Sequence, residues 1–216
     1  VHIHIAEQIG EVQDSLALRD ARPVEWLYAN FDVGARWALV HATHLTADET
    51  RAIAGSGATV VLCPTTEANL GDGLFPLRDY LDAGGRWGIG SDSHISVSPV
   101  EELRWLEYGQ RLASRHRNIA VRESESVGET LLHGALAGGA HVTGIDAAGD
   151  WIELDQEAPA LIGATAADVV DRWIFSGNRP AVATACIDGE RVVEGGRHRD
   201  RDAVFDRYCK AISELT

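Results

Sequence analysis

Residues 37–63, WALVHATHLTADETRAIAGSGATVVLC, contain two apolar segments separated by an amphipathic one. The apolar segments at 37–42 and 58–63, the second rich in β-branched side chains, are typical of strands that are buried on both faces. Between them, Thr46-Ala47-Asp48-Glu49 forms a capping box, so a helix is expected to begin there and to end near Gly55. This stretch therefore predicts a strand–helix–strand unit with parallel strands.

The same alternation continues on both sides of this unit. Further apolar strands are predicted at 1–5 and 86–91, and further helices at 23–30, 76–83, 98–115 and 126–138. Strands that alternate with helices predict an α/β fold with a parallel sheet. Four such units are half of an eight-stranded (β/α)8 barrel, and a doubly wound open sheet is the structural alternative.

The pattern changes after about residue 143. Short antiparallel strands are predicted at 151–154, 169–175, 182–187 and 191–193, with Asp188-Gly189 as a hairpin turn before the last of them. An amphipathic helix follows. We therefore divide the chain into residues 1–143, the barrel-like part, residues 144–200, a small β domain, and residues 201–216, a terminal helix.

Composition limits the possible partners. The 216 residues carry a formal net charge of -14, which argues against binding to nucleic acid and to anionic membranes. No apolar run approaches the length that spans a bilayer. The three cysteines are odd in number and lack the spacing of a metal site, so we interpret them as reduced thiols of a cytoplasmic protein. We expect a homodimer that acts on a small molecule.

Two features suggest that the chain is part of a longer polypeptide. It starts at Val1-His2-Ile3-His4, already inside an apolar alternation, and it contains no methionine. The alternative is a short protein whose first residue was removed by processing.

Polar side chains stand at the ends of three predicted strands. His4, His41 and Asp92 each follow an apolar run, and the carboxyl ends of parallel strands meet at one edge of the sheet. Imidazole and carboxylate groups are ligands of catalytic zinc, which leaves a position open for water. A single residue of this kind is more often a hydrogen-bonding or capping residue, but three together favour a metal site.

Glu7 follows His4 by three residues and so must lie beyond the strand end to reach the same edge. A carboxylate in that place suits proton transfer to a leaving nitrogen. Residues 65–73 follow the third strand, and this polar segment either contacts the substrate or is an ordinary connection.

These residues resemble the amidohydrolase superfamily, in particular its aminohydrolase branch, which removes ammonia from C–N centres. The H-x-x-E of His4 and Glu7, the histidine at 41 and the Gly-Ser-Asp-Ser around Asp92 match its pattern in order and spacing. Longer strings resemble the members that act on N-formimino-L-glutamate; they are HIHIAEQ (2–8), LVHATHL (39–45), CPTTEANLGDG (63–73) and RWGIGSDSHIS (86–96).

The resemblance implies the second half of a distorted (β/α)8 TIM-like barrel, followed by part of a small β-sandwich domain. It implies one divalent metal ion, taken as Zn2+, held by His4 and Asp92 together with a pair of histidines from an H-x-H strand not found in residues 1–216. Asp92 would also act as the general base toward water, while Glu7 and His41 would polarise the formimino carbon and pass a proton to departing ammonia.

The implied reaction is the hydrolytic deimination of N-formimino-L-glutamate to N-formyl-L-glutamate and ammonia in histidine degradation. Because half of the implied ligands are not in residues 1–216, we expect these residues alone to be inactive. Two alternatives stay open: a related aminohydrolase that acts on a purine or pterin-like substrate, and an inactive fragment or binding module.

Overall fold

The four apolar segments form one parallel sheet in the computed structural model, which describes residues 1–122, 124–145 and 149–215. The strands are β1 (His2–Ile5), β2 (Ala38–His41), β3 (Thr59–Leu62) and β4 (Arg86–Ile89), in the spatial order β1-β2-β3-β4. All three strand pairs are parallel. The predicted α/β fold is confirmed, and the order of these four strands shows none of the reversal that defines a doubly wound sheet.

The register of the sheet aligns apolar side chains across the strands. Leu39 pairs with Val60, and Val60 pairs with Trp87. These three side chains share one face of the sheet and are at most 1% exposed. Ala38 and Thr59, one residue earlier on β2 and β3, point to the opposite face and are also at most 1% exposed, so the sheet is covered on both faces. Burial on both faces explains why these strands read as continuous apolar runs rather than as alternating ones.

Seven helices accompany this sheet in the described part of the chain: α1 (Ile9–Arg19), α2 (Pro23–Asn30), α3 (Ala47–Ser56), α4 (Pro64–Leu70), α5 (Leu77–Asp82), α6 (Pro99–Ser114) and α7 (Val127–Thr143). The helices predicted to begin near residues 46, 98 and 126 are confirmed, and the side chains of Thr46, Ser98 and Ser126 each accept a backbone N–H of the first turn. Helices α1 and α4 were not predicted, and α4 includes the first part of the polar segment at 65–73.

A second sheet is antiparallel, with the order β5-β6-β7-β8. Its strands are β5 (Trp151–Leu154), β6 (Val182–Ile187), β7 (Glu190–Glu194) and β8 (Arg197–His198). Asp188 and Gly189 both have positive φ, 50° and 77°, as a two-residue hairpin of this twist requires. The predicted hairpin is therefore confirmed.

The prediction of a strand at 169–175 is wrong, because these residues form helix α8 (Val169–Phe175). The carboxylate of Asp168 accepts the Arg172 Nε–H at 2.6 Å, a pairing of residues four apart that supports a helix. The side chain of Ile174 is fully buried, and α8 packs against α6 and α7. A short apolar run of β-branched residues does not distinguish a buried helix from a strand.

The predicted terminal helix is present as α9 (Arg201–Leu215), with no buried side chain in that range. Residue 216, the last of the predicted terminal segment, lies outside the described residues. Among the helices in the described ranges, none is long and apolar enough to cross a membrane.

Candidate active site

The residues predicted from the strand ends lie together at one edge of the parallel sheet. His4 Nε2 is 3.5 Å from Asp92 Oδ1, and the His4 and His41 ring centroids are 5.1 Å apart. His41 Nε2 is 3.5 Å from Glu7 Oε1. The register of β1 and β2, which pairs Ile5 with His41, explains why side chains far apart in sequence meet here.

The backbone at these strand ends is held in the left-handed region. Four residues without glycine's freedom have positive φ: Ala6 (49°), His41 (66°), Ala42 (51°) and Asp92 (40°). This conformation costs about 1–2 kcal/mol for a residue with a Cβ, and such strain clusters at functional sites.

The turn at Ala6 brings Glu7 back over the end of β1, as the sequence predicted. The Glu11 carboxylate of α1 fixes this turn, because its two oxygens accept the backbone N–H groups of Ala6 and Glu7 at 2.8 and 2.9 Å. The position of Glu7 therefore depends on a second carboxylate in the following helix.

The electrostatic surroundings favour the protonated form of Glu7. Burial is the main cause that raises the pKa of its carboxyl, and the nearby carboxylates of Asp72 and Asp92 add to it, against the opposing effect of His41. A carboxyl that keeps its proton to higher pH is suited to deliver that proton to a leaving group.

His41 is fully buried, and its two ring nitrogens face different carboxylates. Nδ1 is 3.2 Å from Glu67 Oε1, while Nε2 faces Glu7 without a hydrogen bond of good geometry to any described residue. Burial lowers the pKa of His41, but the hydrogen bond to Glu67 and the charges of Glu7, Glu67 and Asp92 together raise it above its ordinary value.

Glu67 is the site residue that the sequence interpretation missed. It is 5% exposed and lies in the first turn of α4. The available signal was Pro64, which is typical of a helix start, followed by a glutamate three residues later.

The residues present fit a divalent metal ion. His4, His41 and Asp92 each offer a ligand atom, and these atoms lie within 4.8 Å of one another. The 3.5 Å between His4 Nε2 and Asp92 Oδ1 is close to the separation of about 3.4 Å that two ligand atoms have around one tetrahedral zinc ion. Imidazole and carboxylate ligands bind either zinc or iron.

Comparison with known proteins identifies a family for this chain. The model of the amidohydrolase family matches residues 1–192. Formimidoylglutamate deiminase of Pseudomonas aeruginosa is 47% identical over 100% of this chain, which covers 49% of that protein. The 5'-deoxyadenosine deaminase of Methanobrevibacter smithii is 27% identical over 100% of the chain, which covers 51% of it. The chain therefore spans about half the length of these curated relatives.

Solved structures support the same family assignment. An amidohydrolase from Brucella melitensis superposes with a TM-score of 0.93 at 46% identity, covering 100% of this chain and 49% of that one. An adenosine deaminase from Xanthomonas campestris, solved with bound zinc, superposes with a TM-score of 0.87 at 23% identity over 100% of this chain and 50% of its own, and so shows a common fold. From its sequence match and its polar strand ends, the chain belongs to the amidohydrolase family.

Proposed function

We propose that residues 1–216 are part of a metal-dependent deiminase that hydrolyses N-formimino-L-glutamate to N-formyl-L-glutamate and ammonia in histidine degradation. The observation that carries the proposal is the convergence of His4, Glu7, His41 and Asp92 at one edge of the sheet. The substrate is supported by the 47% identity to a formimidoylglutamate deiminase, against 27% and 26% for 5'-deoxyadenosine and isoxanthopterin deaminases.

In this proposal, His4 and Asp92 hold one zinc ion together with ligands from outside residues 1–216. A divalent ion in this place supplies a water of lowered pKa, which can act as a nucleophile at neutral pH. Asp92 would act as the general base toward water at this edge of the sheet. The supporting observation is that His4 and Asp92 are partly open to solvent, with 60% and 27% of their side chains exposed.

Glu7 and His41 act on the substrate in this scheme. They polarise the formimino carbon and pass a proton to the departing ammonia. Two features support these roles: the raised pKa of the Glu7 carboxyl, and the 3.5 Å between Glu7 Oε1 and His41 Nε2, which keeps the two groups side by side at this edge of the sheet.

The proposal includes the architecture around the site. Residues 1–143 would form half of a distorted (β/α)8 barrel, residues 144–200 part of a β-sandwich domain, and residues 201–216 a terminal helix. The unbroken order of four parallel strands and the similarity to an amidohydrolase structure of about twice the length support this arrangement. Residues 1–216 alone would then be inactive.

We also propose a cytoplasmic homodimer. The free cysteines Cys63, Cys186 and Cys209 are in keeping with a reducing compartment. Light scattering on the purified protein would test the dimer.

The test of the proposed function uses the full-length protein that carries these residues, loaded with zinc. We expect elemental analysis to find about one zinc ion per protein chain. We also expect ammonia release from N-formimino-L-glutamate, with little release from adenosine-type or pterin substrates. Release from a purine or pterin alone would replace the substrate with that of a related aminohydrolase. A full-length protein that binds no zinc and releases no ammonia would contradict the deiminase proposal and favour a binding module.

A further inference from the structure

Helix α4 begins directly after β3, and its first residues hold two neighbouring elements in place. The backbone N–H and the hydroxyl of Thr65 donate to the Glu102 carboxylate of α6 at 2.9 and 2.6 Å. Thr66 Oγ1 lies 3.0 Å from the hydroxyl of Ser93, the residue after Asp92. Thr65 and Thr66 are 5% and 0% exposed, which favours a positioning role over contact with a substrate.

The fourth residue of α4, Glu67, reaches His41. Its Oε1 lies 3.2 Å from His41 Nδ1 and also accepts the backbone N–H of Cys63 at 2.9 Å. The bond from Cys63 fixes the carboxylate within the first turn of α4, and both His41 and Glu67 are buried. The His41 ring is therefore held from the side opposite to Glu7.

An ionised carboxylate only accepts hydrogen bonds, so the imidazole nitrogen that faces it must carry a hydrogen. In the neutral ring this leaves the other nitrogen as an acceptor. At His41 that other nitrogen is Nε2, which faces Glu7. Without Glu67, nothing at Nδ1 would select between the two tautomers of the neutral ring or prevent its rotation by 180° about the Cβ–Cγ bond.

We propose that Glu67 is the positioning residue of His41: it selects the tautomer with hydrogen on Nδ1 and fixes the ring so that Nε2 faces Glu7. The structural part of this inference stands on the geometry alone, and its kinetic consequence rests on the proposed function.

The experiment uses the full-length, zinc-loaded protein with Glu67→Ala and Glu67→Gln. Glutamine keeps a carbonyl oxygen that can accept from both His41 Nδ1 and Cys63 N, whereas alanine keeps none. We expect Glu67→Ala to lower kcat for N-formimino-L-glutamate by about 100-fold with KM nearly unchanged, because proton transfer by a positioned group contributes about this much. Glu67→Gln should recover most of that loss.

A second readout does not depend on turnover. The 15N chemical shifts of the His41 ring, assigned with His41→Gln, report which nitrogen carries hydrogen. We expect hydrogen on Nδ1 in the unaltered protein and in Glu67→Gln, and a mixture of tautomers in Glu67→Ala. If the protein releases no ammonia from N-formimino-L-glutamate, the proposed function fails, and the ring shifts alone decide the role of Glu67.

Glu107 offers a matched control for a purely structural role. It is a fully buried glutamate of α6 that accepts the backbone N–H groups of Ile119 and Ala120 at 3.0 and 2.9 Å. We expect Glu107→Ala to lower the melting temperature without changing kcat per folded molecule. If Glu67→Ala behaves in the same way, with unchanged kcat and unchanged His41 tautomer, the positioning role is overturned.

Discussion

The thiol of Cys63 lies at the end of β3, beside the carboxylates that organise the site. Burial is the main cause that raises its pKa, and the charges of Glu67, Asp92 and Glu102 add to it. Since the thiolate is the reactive form, we predict that Cys63 does not react with iodoacetamide at neutral pH in the folded protein. Cys209 is exposed on α9 and serves as the reference thiol.

Peptide mass spectrometry after timed labelling measures this difference. In denaturant both cysteines should react at similar rates, which controls for peptide detection. Labelling of Cys63 in the folded protein as fast as Cys209 would contradict its placement among buried carboxylates.

Glu7 has the position and the pKa shift of a proton donor. Glutamine has nearly the same shape but cannot exchange a proton, so we predict that Glu7→Gln lowers kcat of the full-length enzyme by about 10²- to 10⁴-fold. Steady-state kinetics and zinc analysis measure the effect, with zinc content expected to stay constant. Glu157→Gln, at an exposed position in the second part of the chain, is the matched control. Equal kcat in both variants would remove Glu7 from the chemistry.

At this scale, the sequence was informative where a polar residue interrupts a buried strand end. His4, His41 and Asp92 could be singled out on that ground, and the structure brings them together. Pro64 and Glu67 indicate a helix start, but they do not link Glu67 to His41, which is 26 residues away and becomes its neighbour only in the fold. Which nitrogen of His41 faces the site is equally invisible in a linear pattern.

Among the secondary-structure elements, helix α7 packs closely on β4. Gly138 of α7 lies directly on the backbone of Trp87, and a Cβ at this position would overlap the Trp87 carbonyl oxygen. The next residue, Gly139, has no atom within 4 Å of an added Cβ. An added Cβ would therefore clash with the sheet at Gly138 and lie in open space at Gly139.

We predict that Gly138→Ala destabilises the protein by about 1–3 kcal/mol, because the helix must move off the sheet to accommodate the methyl group. Gly139→Ala should instead stabilise it by about 0.5–1 kcal/mol, through the better helix propensity of alanine. Urea unfolding followed by circular dichroism measures both values. Equal effects of the two substitutions would mean that α7 does not contact β4 through Gly138.

The elements that the sequence predicted well are those with strong local signals. Helix α3 has a capping box at Thr46 and Glu49, and the β6–β7 hairpin has Asp188-Gly189. Helix α8 was mistaken for a strand because its helical state is stabilised by packing on α6 and α7, a tertiary effect that local propensity does not contain.

For the molecule as a whole, the sequence predicted the parallel sheet and the second, antiparallel sheet. The closure of the parallel sheet into a barrel was not predictable from local patterns, because it depends on what pairs with the outer edges of β1 and β4. Neither strand has a second neighbour among the described residues. The relatives are about twice as long, and their additional residues offer the further strands that a closed barrel requires.

The metal site connects the strand ends to the stability of the whole molecule. A ligand that binds only the folded state stabilises it by an amount that grows with its concentration, reaching about 4 kcal/mol at 1,000 times Kd. We predict that zinc raises the melting temperature of the metal-free, full-length protein, and that His4→Gln and Asp92→Asn abolish most of this rise. Each substitution removes one of two donors that lie 3.5 Å apart.

His133→Gln is the control for this experiment, since His133 is an exposed histidine on α7 that pairs with Glu125 instead of the strand-end residues. Its zinc-dependent rise should equal that of the unaltered protein. Differential scanning calorimetry with and without zinc measures the rise, and elemental analysis after dialysis measures the bound metal. If His4→Gln retains both the metal and the full rise, His4 is not a ligand, and the ion must be held by a set of donors that excludes the end of β1.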